Sequence, residues 1–263
     1  MAIVAGSTKL IESARLTSAR SLTARSPVPK IEGLVAWYET SRRESFKTNE
    51  SVGSGQISAW YDISPGSIAK QKNTLARTAS SAVTYQRDGI NKVPSLYFDG
   101  TAKISITNFY QGTSTQNTIF FVAKPYALSG GVNIIDSGVG STTTIALTPS
   151  GMFAFWGVSA TISATSCCFS NENYIVAFYA NGSSSKAYIN NASSMTGGVT
   201  FNIGGGSLGS LTGLTVGSTL DNNSDFNGLI SEVIIYNRPL QTQERKDVMN
   251  YLGQKYGITI TGI

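Results

Sequence analysis

The sequence predicts an all-β fold: an antiparallel β-sandwich with one C-terminal helix and an extended N-terminal arm. Three observations point there. Short apolar or alternating runs recur along the chain, separated by turns rich in Gly, Asn and Ser. No strand–helix alternation suggests a parallel sheet. Only one segment, YNRPLQTQERKDVMNYLGQKYG from Tyr236 to Gly257, has a clear helical period.

The elements follow in order. Residues 1–32 form the arm, and residues 33–263 form the domain. The arm is polar, and Ser26-Pro27-Val28-Pro29 stiffens it toward polyproline II at the boundary. Its Arg15, Arg20 and Arg25 recur every five residues, so neither helix nor strand gathers them into one basic stripe. Leu34 to Tyr38 opens the strands. Ile104-Ser105-Ile106 alternates, as does Met152 to Trp156, while Thr118 to Ala123 is β-branched and aromatic. Tyr174 to Tyr179 runs into Asn181-Gly182, a hairpin signal, and Lys186 to Asn190 returns from it. Val199 to Ile203 and Leu214 to Val216 come next.

In the last strand, Leu229 to Tyr236, simple alternation puts Leu229, Val233 and Ile235 on one face and Ile230, Ile234 and Tyr236 on the other. Both faces are apolar, so the strand belongs inside, and Pro239 ends it. A helix is predicted from about Gln241 to Gln254. Val248, Leu252 and Tyr256 form its stripe with Met249 beside them, and Gly257 suits its C-terminal cap. Gln241 is a poor N-cap. The stripe is expected to lie over the end of the sandwich and cover a sheet rim.

Composition narrows the function. Charged residues are 13% of the 263, against about 25% in an average soluble domain. The net charge of +5 has no Lys/Arg block after residue 47, so no basic face for nucleic acid is expected. Cys167 and Cys168 are adjacent and read as two free buried thiols. Without a CxxC pair they make no zinc site. No apolar run reaches the ~20 residues of a membrane span, and the N-terminus has no secretory pattern, though its Arg- and Ser-rich start resembles a transit peptide.

Several stretches resemble the laminin-G-like, concanavalin A-like jelly-roll family. Trp60-Tyr61-Asp62-Ile63-Ser64 looks like its W-x-D-x-S segment, and Phe98-Asp99-Gly100 like its F-D-G turn. Ala187-Tyr188-Ile189-Asn190 is similar to its Y-V-N-G hairpin. Phe226 to Arg238 matches F-x-G-x-I-x-E-V-x-x-Y-x-R, and Glu244, Arg245 and Lys255 to Gly257 match its closing helix. The resemblance spans roughly residues 33–258. It implies two stacked antiparallel sheets and no single activity, since lectins, adhesion modules, glucanases and virion proteins share the fold.

Site residues must therefore decide. The chain has no histidine, so Ser-His-Asp and Cys-His chemistry is excluded. No E-x-D-x-E triplet places paired acids, and Glu232 stands alone on its strand, flanked two residues away by Ile230 and Ile234. The loop Gly204 to Gly209 fits G-x-G-x-x-G but leads to a strand, so it reads as a plain loop. Trp156 and Tyr126 are the aromatic glycan candidates, with Asp221, Asn223 and Asp225 as polar partners. The same three oxygen donors imitate a calcium loop, but Phe226 occupies the position where the turn needs Gly. Trp37 and Trp60 read as core.

No cofactor is expected, with calcium at Asp221, Asn223 and Asp225 the one metal candidate. The expectation is a non-enzymatic virion structural or surface protein: a phage-like capsid decoration, head-fibre or tail-associated chain assembled in the host cytoplasm. Its arm, through Arg15, Arg20 and Arg25, would bind other virion proteins or its own copies. Its jelly roll would meet host glycans or neighbouring subunits, and it would be oligomeric on the particle. The alternative is a free carbohydrate-binding lectin or adhesion module, and the third reading is a glycoside hydrolase of the same fold.

Overall fold

The computed structural model describes residues 28–51, 55–67, 72–77, 82–109, 116–128, 132–137, 144–148, 151–156, 160–161, 164–165, 168–181, 184–190, 199–201, 211, 213–220 and 225–262. Two antiparallel sheets stack face to face. The first contains β1 (Leu34–Glu39), β4 (Thr84–Gln86), β5 (Ser95–Asp99), β7 (Asn117–Pro125), β13 (Tyr174–Ala180), β14 (Ser185–Ile189), β15 (Val199–Phe201) and β17 (Asn227–Tyr236). Its order is β15-β14-β13-β7-β17-β5-β4, with β1 also on β17. The second contains β2 (Ala59–Trp60), β3 (Leu75–Arg77), β6 (Ile104–Ile106), β8 (Val132–Asp136), β9 (Thr144–Thr148), β10 (Gly151–Trp156), β11 (Ala160–Thr161), β12 (Ala164–Thr165) and β16 (Leu214–Val216). It runs β11-β10-β9-β8-β16-β6-β3-β2, with β12 also on β10.

The residues between the sheets form the main core. Tyr38, Trp60, Phe98, Phe121 and Phe178 interdigitate there with Ile104, Ile135, Ile145 and Val216. Cys168 is buried in this core, whereas Cys167 and the Gly204 to Gly209 loop lie outside the described residues.

A second core lies on the outer face of the first sheet, under α1 (Thr242–Tyr256). Val248, Met249, Leu252 and Tyr256 pack there against Phe120, Val122, Ile175, Ala177 and Ile234. The helix thus covers a sheet face rather than a rim. The reason is that β7, β13 and β17 are apolar on both faces, and their outer face needs a cover as much as their inner one. Val28 and Ile31, counted with the arm in the sequence, also pack into this layer. Glu244 reaches back to the Gln241 N–H at 2.8 Å, which caps the helix start that Gln241 alone would cap poorly. Gly257 takes the left-handed conformation, φ 61°, at the other end.

The facing of β17 differs from simple alternation. Ile230, Val233 and Ile235 belong to the main core, whereas Leu229, Ile234 and Tyr236 face the helix layer. A bulge between Ile230 and Glu232 shifts the phase by one residue. At this bulge the strand changes its partner on one side: Leu229 and Ile230 pair with β5, and Glu232 to Tyr236 pair with β1. The Ser231 hydroxyl meets Ser95 at 2.6 Å, and its carbonyl accepts from the Thr40 N–H at 3.1 Å.

Glu232 therefore has an acidic neighbour after all. Glu39 of β1 sits directly opposite it, and both side chains are buried. Lys255 of α1 bridges them, at 2.5 Å from Glu232 and 2.7 Å from Glu39. Glu232 also accepts from the Trp37 indole (2.8 Å), the Tyr256 hydroxyl (2.9 Å) and the Tyr251 hydroxyl (3.2 Å). Glu39 accepts from Ser41 and from the Arg42 Nε at 3.1 Å. At Glu232 burial drives the pKa up, and the neighbouring Glu39 adds to it against the pull of Lys255. At Glu39 burial acts the same way but is outweighed by Lys255, Ser41 and Arg42, so its pKa lies below the ordinary value.

Leu252→Ala should destabilise the domain by ~2–5 kcal/mol in urea denaturation, by leaving a cavity in the helix layer. Lys255→Met should cost about 3–5 kcal/mol, because two buried carboxylates lose their shared cation. The pH dependence of stability has two opposite parts. The share from Glu39 is complete above the usual carboxylate pKa of ~4.3 and is lost as pH falls through its lower folded value. The share from Glu232 is complete below ~4.3 and is lost as pH rises through its higher folded value. Urea midpoints from roughly pH 3 to pH 8 should show Glu39→Gln flattening the acid limb and Glu232→Gln flattening the opposite one.

Candidate glycan-binding end of the sandwich

The acidic residues of the sequence motifs first hold backbone in place. Asp62 Oδ1 accepts from the Trp37 N–H (3.0 Å) and the Ser64 N–H (2.9 Å), which ties the W-x-D-x-S segment to β1. Asp99 Oδ1 accepts from the Thr101 N–H (2.9 Å) and hydroxyl (2.8 Å) around Gly100, whose φ of 88° suits glycine. Trp37 and Trp60 are buried, as a core role requires.

One end of the sandwich gathers the open groups. There β5 ends, β7 ends, and β13 and β17 begin. On the outer face of the first sheet, Tyr97 and Lys124 flank Leu229 in register. Tyr126 follows two residues after Lys124, and its N–H donates to the Asn227 carbonyl at 2.8 Å. The Tyr97 and Tyr126 rings lie 6.0 Å apart with their planes inclined at 40°, and both are half-buried. Burial raises the Tyr126 phenol pKa, and Tyr97 adds to it. The phenol therefore stays a neutral hydrogen-bond donor at neutral pH. Asp99 and Asn227 face each other in register beside this pair. Phe169 is 61% exposed at the same end, where the Asn171 N–H donates to the Pro125 carbonyl at 2.6 Å.

The loop before β17 belongs to this end too. Its Leu220 peptide is clamped between the second sheet's groups: Asp136 accepts from the Leu220 N–H at 2.9 Å, and the Lys103 ammonium donates to the Leu220 carbonyl. Asp225 accepts from the Ser218 hydroxyl. Asp221 and Asn223 lie outside the described residues, so the calcium candidates are placed only at Asp225. Among the described residues no three His, Cys, Asp or Glu side chains form a group that could hold a metal ion.

The structure thus brings Tyr126 and Asp225 to one end. Trp156 is on the second sheet rather than the first: it pairs with Ala160 at the end of β10, next to the row Phe155–Thr144–Asp136. Arg15, Arg20 and Arg25 lie outside the described residues. The sequence reading missed Tyr97, because its partner comes from another strand. It missed Phe169, whose only signal is an aromatic side chain just before the turn at Ser170 and Asn171.

Relatives place this geometry in context. A family model described as the concanavalin A-like lectin/glucanases superfamily matches residues 98–244. Among curated protein sequences, none matches the chain. Domain 4 of AbnA, a GH43 extracellular arabinanase from Geobacillus stearothermophilus solved with arabinotriose, is similar with a TM-score of 0.56 and 16% identity, over 82% of this chain and 97% of that one. A Trypanosoma rangeli sialidase solved with sialic acid gives a TM-score of 0.58 and 16% identity, over 88% of this chain. The chain spans about a third of that sialidase, 34%.

These likenesses correct one expectation. The sequence predicts no enzyme, yet the two solved structures named above, which share the fold, come from glycoside hydrolases, and that prediction is withdrawn. At this identity the likeness carries the fold and not the activity. Neither relative is a virion protein. The two-sheet fold and the matched residues establish that this chain belongs to the concanavalin A-like lectin/glucanase superfamily.

Proposed function

We propose that this chain is a carbohydrate-recognition domain and that glycans bind at the end of the sandwich that carries Tyr97 and Tyr126. The observation that supports this most is the pair of half-buried rings on one sheet face, 6.0 Å apart, with polar groups beside them. A sugar ring has apolar C–H faces and a hydroxyl rim. Tyrosines meet both needs, since each has an apolar body and a polar tip. Lys124, Asp99 and Asn227 then supply the few directional contacts that fix orientation.

The named relatives support a sugar rather than a particle as the partner. The arabinanase domain was solved with arabinotriose and the sialidase with sialic acid. A virion role, with the arm as its attachment, has no comparable support. Hydrolysis is the second reading, favoured by the same relatives. The buried Glu39 and Glu232 are poor candidates for it, because Lys255 sits between them and α1 covers both. Release of reducing sugar from arabinan or of sialic acid from a sialoside would establish it.

A glycan array with the full chain, followed by calorimetry on the best ligand, tests the binding reading. The expected outcome is saturable binding that Tyr97→Ala and Tyr126→Ala each weaken about ten-fold, as central aromatic contacts do. No binding to any glycan, or binding lost with Trp156→Ala but untouched by Tyr126→Ala, would show the site to be wrong.

A further inference from the structure

Arg245 stands out among the buried charges. It is 5% exposed and sits in the first turns of α1, yet no carboxylate among the described residues meets it. Its guanidinium carbon lies 3.6 Å over the Tyr188 ring centre, and its one hydrogen-bond partner is the Met249 sulfur, at 3.9 Å. The other buried acidic and basic side chains among the described residues each have an ionic or hydrogen-bonding partner. Glu39 and Glu232 share Lys255, Asp62 takes two N–H donors, Asp136 takes a hydroxyl and an N–H, and Lys103 meets two carbonyls. A cation near a helix N-terminus also opposes the positive end of the helix dipole. Glu244, one residue away, does not relieve this, because Arg238 holds both its oxygens at 2.8 and 2.6 Å.

Arg245 lines a cavity of about 340 Å³ between the start of α1 and the β13–β14 hairpin. Lys186, Tyr179 and Tyr188 form its sheet side, and Gln241 and Thr242 its helix side. No acidic side chain lines it, and Lys186 makes no ion pair among the described residues. Thr242 is the first helical residue, so its N–H has no partner within the helix. Two cations, a helix N-terminus and a phenol therefore converge on one space without an anion of the protein's own.

We propose that this cavity binds an oxyanion, the carboxylate group of an acidic saccharide. Helix N-termini bind such groups through oriented N–H donors, and a guanidinium matches their paired oxygens. The site is separate from the tyrosine pair. In register along β13, Tyr179 opposes Thr118 and Lys186, at the other end of β7 from Tyr126. It therefore stands or falls apart from that reading.

Calorimetry of the full chain at constant ionic strength tests it, with sodium sulfate, sodium glucuronate and glucose as probes. Sulfate and glucuronate should bind saturably, and glucose should not compete. Arg245→Met should weaken anion binding at least ten-fold and Lys186→Gln several-fold. Because Arg245→Met removes a packed side chain, Thr242→Pro provides a second variant. Proline is accepted at the first helical position and removes the N–H and hydroxyl donors of Thr242, so binding should weaken while the thermal midpoint stays within a few degrees. Tighter glucuronate than sulfate assigns the cavity to the saccharide, and the reverse assigns it to the free ion, which overturns the saccharide part. No saturation by either probe, or unchanged binding in all three variants, overturns the site.

Discussion

Glu232 lies at the centre of β17 with no exposure, and a buried carboxylate there must be given partners or the strand cannot stay inside. Four groups meet this need, and three of them, Tyr251, Lys255 and Tyr256, come from the helix. This changes what the helix is. Its apolar stripe supplies most of the burial, but apolar contact has no direction and would tolerate a slide or a rotation. Three hydrogen bonds to one carboxylate do not. They set both the rotation of α1 and its position along the sheet. Arg245 lies ten residues before Lys255, about 15 Å up the helix at 1.5 Å per residue. The pin at one end of α1 thus fixes where the cationic cavity opens at the other.

The bulge at Ser231 divides the outer face of the first sheet. On one side of it β17 pairs with β1, which brings in Trp37 and Glu39 to meet the helix. On the other side β17 pairs with β5, which brings in Tyr97, where the end beyond β7 carries Tyr126. A strand without the bulge would keep Leu229 in phase with Val233 and turn it into the main core. With the bulge, Leu229 stays on the outer face beside Tyr97. One extra residue therefore separates a covered half, which gives stability, from an open half, which offers aromatic surface.

Much of the scaffold was legible because its signals are local. The stripe of Val248, Leu252 and Tyr256, Gly257 after it, and the Phe226 to Arg238 strand all announce themselves within a few residues. The bulge did not, because Ser231 is not a glycine and two adjacent polar residues, Ser231 and Glu232, do not show which one falls out of register. β8 was missed for a related reason: a second bulge between Asn133 and Ile135 interrupts its alternation. The Glu232 cluster was illegible in principle. Trp37 is 195 residues away in sequence, and an acid with apolar neighbours looks isolated until the sheet is assembled. Tyr126 could be nominated as an aromatic residue at a strand end, but its pairing with Tyr97 exists only across strands.

The low charge content gives the remaining charges their meaning. In a chain with 13% charged residues, selection for solubility alone would leave the few ionic groups outside, where hydration is free. Instead several are buried, and where they are buried the protein has built partners for them, with carboxylates, carbonyls or amide donors set within hydrogen-bonding reach. Burial of Arg245 against Tyr188 costs hydration in the same way, yet the surrounding chain returns only a ring face and a sulfur. Burial depresses its pKa, which is the mark of a cation whose surroundings do not repay its desolvation. A fold that has solved this problem at Glu232 and Asp136 leaves it unsolved beside a cavity that also receives a helix N-terminus. The simplest physical account is that the missing counter-charge arrives with a ligand.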